Sequence, residues 1–478
     1  MIRYLPALLA VVLAGCTTVG PDYKRPQIDT PRAWPDQTAA PAKVPDRWWT
    51  LYGDAVLDAL VDEALRHNTD IAQAVARVDE ARAQLKSVDA DRYPRVGANA
   101  SAYRYRASEK SALWFPGFNP YYRDYAAELT ASWEIDLWGR VRRATEAARA
   151  DVATSEADRD AVRLVVAASV ARGYFTLRAL DAQVDLTRRT LETRLEGLKL
   201  QQLRYTSGVS SEYDLRQIEA DTEAARALLP DLERTRAQQE NALAVLLGRS
   251  PRAIVERHLD IGAAIEALTV PPAVPAGLPS DLLERRPDIR EAEQQLVSAN
   301  ARIGLARAAY FPTLSLTGAL GTESAGLSDL FSAPARLWSF GTSAAATIFD
   351  AGRIAAGVEA AQARQRQLLA AYQASTQNAF REVLDALVAQ RKSKEVLDAE
   401  QARVKALKQA YDLAKMRYDS GVASLLDLLD AERNLLNADL SRIDAQRAQL
   451  AASADLFKAL GGGWQNPDKL ADIATRGN

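Results

Sequence analysis

Apolar residues recur every seven positions through long stretches of the chain. Val422, Leu429, Leu436, Ile443, Leu450 and Phe457 make one series, and Leu397, Val404, Tyr411 and Tyr418 another, with Leu407 and Ala414 between. Val184, Leu191, Leu198 and Tyr205 stand at the corresponding places earlier. A sustained seven-residue repeat keeps one seam of a helix against a partner, so these stretches predict coiled-coil packing. No proline interrupts Arg353 to Asp419, which as one helix would extend ~100 Å. Gly208 and Gly421 sit where each long helix must reverse, as a glycine just past a helix end should, and are expected at the hairpin turns. Pro230 is expected to interrupt the earlier of the two returning helices.

Elsewhere the period drops to two. Leu129, Ala131, Trp133, Ile135 and Leu137 alternate with Glu128, Thr130, Ser132, Glu134 and Asp136, and Leu314, Leu316, Gly318 and Leu320 alternate with Thr313, Ser315, Thr317 and Ala319. Such alternation predicts strands with one apolar and one polar face. Companion strands are expected within 95–107 and 337–349, with loops at 114–122 and 321–336. A further helix is expected from Asp54 to Asp91.

The chain says all this twice. RYTSGVSSEYDL (204–215) returns as RYDSGVASLLDL (417–428), and an offset of 213 relates Gly139 to Gly352 and Leu247 to Leu460. Upstream the offset is 218, relating Asp70 to Asp288 and Pro94 to Pro312. Units this long exclude a short-period solenoid. The expected organisation is a leader at 1–15, an extended segment at 16–53, a first repeat at 54–250, a Pro-rich linker at 251–280, a second repeat at 281–461 and a tail at 462–478. The fold class is mainly α with a small β part.

Composition adds most at the N-terminus. Arg3 and the apolar run Ala7–Leu13 read as an export signal, and Leu13-Ala14-Gly15-Cys16 matches the bacterial lipobox. Cys16, the one cysteine of the 478 residues, is expected to carry a covalent lipid, diacylglycerol with an N-acyl chain, so no intramolecular disulfide is possible. Thr17 rather than Asp follows it, which favours outer-membrane sorting. With Arg3 removed, 59 basic face 62 acidic residues, and no basic stripe suggests nucleic acid. No later stretch reaches the ~18 apolar residues of a spanning helix. Any membrane crossing must use strands, and open sheet edges cannot be satisfied in lipid. Four strands fall short of the ~8 of the smallest spanning barrels, so several chains must pool theirs. Tyr103, Tyr105, Trp133, Trp138, Trp338 and Phe340 are candidates for interfacial girdles.

Several segments in order resemble one family, the TolC-like or NodT lipoproteins that serve as outer-membrane factors of tripartite efflux pumps. They are LAGC with VGPDYKRP (19–26), WWTLYGD (48–54), GLPSDLLERRPDIREAE (277–293), ANARIGLARAAYFPTLSLTGALG (299–321), IFDAGR (348–353) and RYDSGVASLLDLLDAER (417–433). The resemblance implies a homotrimer whose twelve strands form one barrel in the outer membrane and whose helices form a periplasmic tube. It implies a periplasmic adaptor and an inner-membrane resistance-nodulation-division pump as partners, and drugs or other small molecules as cargo. It also implies a gate at the periplasmic tips, where Asp427 and Asp430 look like the acidic constriction. Tyr418 and Asp214 resemble a latching hydrogen bond, and Ala423 stands where the family's latch arginine would be. Leu426 would add an apolar layer. Arg433 is spaced to pair with Asp430, and the crowded carboxylates are expected to include some with raised pKa values.

Nothing in the sequence reads as catalytic or metal-binding. His67 and His258 lie in different kinds of segment, and no nucleophile elbow or phosphate-binding glycine loop occurs. An exit duct for type I protein secretion or metal efflux and a lipid-anchored periplasmic scaffold remain as alternatives.

Overall fold

A computed structural model of the chain describes residues 18–34, 45–112, 115–117, 119–256, 259–271 and 279–462. The expected leader, Cys16, His258 and the tail from 463 lie outside the described residues. The chain divides into two compact units, one within Met1–Gln27, Arg77–Ser155 and Glu291–Tyr372, the other within Ile28–Ala76, Glu156–Arg290 and Gln373–Asn478.

The helices are α1 (Ala55–His67), α2 (Thr69–Asp89), α3 (Arg140–Thr206), α4 (Glu212–Leu246), α5 (Pro251–Glu256), α6 (Leu282–Arg285), α7 (Pro287–Ala308), α8 (Arg353–Asp419) and α9 (Leu425–Ala459). The strands are β1 (Arg95–Arg106), β2 (Tyr121–Ile135), β3 (Thr313–Ser324) and β4 (Arg336–Ala345). The duplication shows in the lengths: α3 and α8 each have 67 residues, and α4 and α9 each have 35.

The first unit is built on one antiparallel sheet of order β1-β2-β3-β4. Pairing Leu129 with Ala98 and with Leu320, and Leu320 with Trp338, puts all four on one face. That face is apolar yet uncovered, with Leu129 54 %, Leu320 63 % and Trp338 78 % exposed. The opposite face carries Asn99, Ser101, Thr130, Ser132, Glu128, Glu134 and Thr317. Among the described residues, β1 and β4 are both unpaired edges. The girdle expectation needs a correction. Trp133, Trp338 and Phe340 share the apolar face, but Tyr103 and Tyr105 fall on the polar one, where Tyr105 stacks with both Tyr103 and Tyr122, because strand parity rather than hydrophobicity assigns them. Trp138 lies beyond the strand end, stacked on Phe311 at 4.7 Å.

An N-terminal strap is laced onto this unit. Val19 donates its amide to the Trp138 carbonyl (3.0 Å), buried Arg143 holds the carbonyls of Val19 and Gly20 and the Asp22 carboxylate, and Arg25 grips Glu293 with two bonds of 2.6 Å. Gly20 runs directly over Gly304. A Cβ on Gly20 would lie 2.4 Å from the Gly304 Cα, so only paired glycines permit this crossing.

The second unit has its core around Trp48, Trp49, Tyr52, Phe175, Leu243, Leu450 and Phe457. Trp48 stacks on Phe457 at 5.1 Å, and the Tyr52 hydroxyl meets Ser453 Oγ at 2.6 Å. Asp54 caps α1 through the amides of Val56 and Leu57, and also accepts from the Tyr174 hydroxyl and the Ala263 amide.

Four boundary expectations change. The helix expected from Asp54 to Asp91 breaks at Asn68, which is extended and whose side chain caps α2 through Asp70 and Ile71 while donating to the Leu246 carbonyl. β2 begins at Tyr121 and β3 reaches Ser324, so each strand takes in residues expected in the adjoining loop. α4 runs on through Pro230; one missing amide costs less than abandoning the packed seam on both sides. The linker contains α5 and short 3-10 turns at Ile265–Ala267 and Pro279–Asp281.

Candidate functional site at the hairpin turns

Both long helices end in the same backbone lock. Gly208 and Gly421 adopt φ of +73° and +76°, Val209 donates to the Arg204 carbonyl at 2.8 Å, and Val422 donates to the Arg417 carbonyl at 2.9 Å. This is the Schellman arrangement, which a left-handed glycine allows at no steric cost. Each chain reversal then meets a serine N-cap, Ser211 before α4 and Ser424 before α9, with an aspartate three residues on. Around the turns Leu215, Ile218, Leu425 and Leu429 form a small separate core, with Leu198 and Tyr418 packed against it. The two hairpins are thereby joined at their ends.

The candidate gate residues divide into three groups. Asp427 completes a capping box: its carboxylate accepts the Ser424 amide (3.0 Å) and hydroxyl (2.7 Å) while its own amide donates back to Ser424. The Ser424 hydroxyl and then the Ser424 amide hold its pKa below the ordinary 3.8. Within one chain these dedicated donors outweigh the slight desolvation that opposes them. Asp430 is paired as the spacing suggested, accepting from Arg433 and, at 3.0 Å, from Asn434. Asp427, Asp430 and Leu426 are all exposed.

Tyr418 and Asp214 are not brought together, which corrects the expected latch. The Asp214 carboxylate turns onto Ser211 at 2.8 Å, doing for α4 part of what Asp427 does for α9. The Tyr418 hydroxyl instead accepts from Arg204 Nη1 at 2.7 Å and donates to Gln201 Oε1 at 3.5 Å, with the Arg204 guanidinium 5.5 Å from the Tyr418 ring centroid. Arg204 and Tyr418 belong to the two copies of one motif, Arg204-Tyr205 and Arg417-Tyr418. The arginine of one copy therefore meets the tyrosine of the other.

Sequence reasoning passed over the residues behind this contact. Thr187, Arg194 and Gln201 are seven apart on α3 and all buried. Arg194 reaches Glu432 of α9 at 3.2 Å and the Asp221 carbonyl of α4 at 2.6 Å, crossing from one hairpin to the other. The seven-residue spacing was the available signal, but polar side chains at seam positions read as surface. Among the described residues no group of three or more His, Cys, Asp or Glu converges to hold a metal, and no helix is long and apolar enough to cross a membrane. Chemically, the site restrains two helix pairs and presents exposed carboxylates.

Known proteins have this arrangement of elements. The family described as outer membrane efflux protein matches residues 60–249 and 278–462. The probable efflux pump outer membrane protein TtgC of Pseudomonas putida is 37 % identical over 466 residues, 96 % of this chain and 95 % of that protein. The cation efflux system protein CusC of Escherichia coli is 34 % identical over 470 residues, 96 % and 99 % of the two chains. Among solved structures, the Campylobacter jejuni CmeC outer membrane channel superposes with a TM-score of 0.90 at 27 % identity, covering 96 % of this chain and 98 % of its own. The open state of the Neisseria gonorrhoeae MtrE outer membrane channel gives 0.84 at 36 %, covering 94 % and 98 %.

Proposed function

Because the chain belongs to the outer membrane efflux protein family, we propose that it is the outer-membrane exit duct of a tripartite efflux pump, passing small molecules from an inner-membrane pump and periplasmic adaptor to the exterior. The observation that carries this reading is the sheet. Among the described residues its apolar face is uncovered, its other face is polar, and both its edges are open. Lipid satisfies the first feature, a water-filled lumen the second, and edge-to-edge pooling with identical chains the third. A homotrimer pools twelve strands. The duct itself does no chemistry, and the energy comes from the pump.

Relatives named for antibiotics, toluene and cations lie within a narrow range of identity, 34–37 %. That supports a duct whose cargo is chosen by its pump. The gate belongs at the hairpin turns, with Tyr418, Arg204 and Gln201 as restraint and Asp427, Asp430 and Leu426 as rim. Asp214 has a capping role in this reading, and Arg433 fixes Asp430. A lipid on Cys16 fits the strap, since Val19, three residues on, is tied to Trp138 where β2 gives way to α3. The anchor then lies at the helical end of the strands, the periplasmic side of the outer membrane. Single-channel recording of the purified protein in a planar bilayer, with mass measurement in detergent, tests the proposal. Long-lived conducting events and a three-chain mass are expected; stable monomers without conductance would overturn it.

A further inference from the structure

The charged residues of the sheet are partitioned by face and by height. Glu134, Glu128, Asp124 and Glu323 all lie on the polar face. The apolar face carries no acid, yet it carries Arg104, Arg106, Arg123 and Arg336, all at the ends of the strands next to the β1–β2 and β3–β4 loops. Arg104 stands directly opposite Arg123 in the ladder, a like-charge pairing that costs stability unless something anionic lies between or beside the two. All four are exposed. Arg106 has Glu109 and the Tyr121 ring for company, but the side chains of Arg104, Arg123 and Arg336 make no hydrogen bond or ion pair among the described residues. The height is equally specific. Arg123 is ten residues from Trp133 along β2, which at ~3.3 Å per residue and a ~40° tilt is ~25 Å, the height of the apolar band of a spanning barrel. The arginines thus begin where the apolar band stops, level with Tyr121 and Tyr125.

We propose that Arg104, Arg123 and Arg336, with Arg106 beside them, form a binding belt for the phosphate groups of the phosphorylated lipids in the outer leaflet of the outer membrane. The proposal rests on reading the apolar face as the membrane wall, with the loops outside and the helices in the periplasm. Guanidinium groups match phosphate oxygens with paired donors, and a phosphate seated between Arg104 and Arg123 turns a repulsive pair into a clamp. The lipid is the chosen source of phosphate because the belt borders an apolar face, so acyl chains and headgroup are satisfied together.

The test uses the assembled full-length protein in detergent. Lipid A bearing both phosphates, the same lipid A after dephosphorylation, and inorganic phosphate are each titrated against it by native mass spectrometry. Phosphorylated lipid A is expected to bind at least tenfold more tightly than the dephosphorylated form, and inorganic phosphate at millimolar concentration is expected not to displace it. The variant Arg104→Gln/Arg123→Gln/Arg336→Gln should lose that tenfold preference, while Arg104→Lys/Arg123→Lys/Arg336→Lys should keep most of it. Equal binding of the two lipids by the unaltered protein overturns the proposal even if the glutamine variant does not fold. Ready displacement by inorganic phosphate overturns the lipid assignment. A planar-bilayer recording separates the two readings. Channels without phosphate preference sink only this belt, whereas no channels at all sink the membrane wall and the belt with it.

Discussion

The Tyr418 hydroxyl is shared between Arg204 and Gln201, so a single oxygen links the turn of one hairpin to the helix of the other. Tyr418→Phe removes that oxygen and leaves the ring under the guanidinium. A hydrogen bond to a charged group contributes about 1.5–3 kcal/mol, and a trimer would lose three, so the resting channel should conduct measurably more in single-channel records. Unchanged conductance would place the restraint elsewhere. Asp427 allows a prediction with a sign. Its carboxyl is held below 3.8 by Ser424, so the cap's contribution is fully present above that value and is lost as pH falls through the lower, folded-state value. A ring of such charges favours cations. Selectivity from reversal potentials in a salt gradient should therefore persist as pH is lowered towards 4 and weaken only below it, and Asp427→Asn should weaken it at neutral pH. Selectivity that fades between pH 7 and 5 would mean that other groups set it.

At the scale of elements, the long helices are held by two kinds of seam. The apolar one was legible: Leu429, Leu436, Ile443, Leu450 and Phe457 are all buried on α9 as their spacing required, although Val422, at the head of that series, is exposed in the turn. The polar seam of Thr187, Arg194 and Gln201 was not, because a single sequence gives no sign that an arginine will find a carboxylate 238 residues away. The same limit hid the break at Asn68, whose amide is fixed by the distant Leu246 carbonyl, and the continuity of α4 through Pro230, which tertiary packing decides. Strand parity, by contrast, was written locally, and it sorted the sheet's faces correctly while hydrophobicity alone misplaced Tyr103 and Tyr105. The polar seam carries its own prediction. Arg194 and Glu432 are largely buried, and removing one member of such a pair strands the other's charge at a cost of about 3–5 kcal/mol. Arg194→Met should speed amide hydrogen exchange in α3 and α9 near the turns, and adding Glu432→Leu should restore most of the protection, since well-packed apolar side chains often replace an ion pair at little cost. If the double variant exchanges as fast as the single one, the pair matters for something other than its charge.

For the whole molecule the question is what holds it in the membrane. Two candidates exist, the lipid expected on Cys16 and the uncovered apolar face of the sheet, and they make different demands. An acyl chain contributes about 0.8 kcal/mol per buried methylene, and one chain alone binds a membrane only marginally. A closed barrel instead buries every strand's apolar face and leaves no free edge. The strap that follows Cys16 is fixed without reference to a lipid, through Val19 on Trp138, Arg143 on Gly20 and Asp22, and Arg25 on Glu293. Losing the lipid should therefore leave the strap and the sheet intact. Cys16→Ser is expected to abolish metabolic labelling with a radioactive fatty acid, to slow or reduce assembly, and yet to leave most of the surviving protein in the outer-membrane fraction, resistant to extraction by high salt. A Cys16→Ser protein recovered entirely from the soluble periplasm would mean that the apolar face meets protein rather than lipid, and would return the chain to the lipid-anchored scaffold that a pooled barrel displaces.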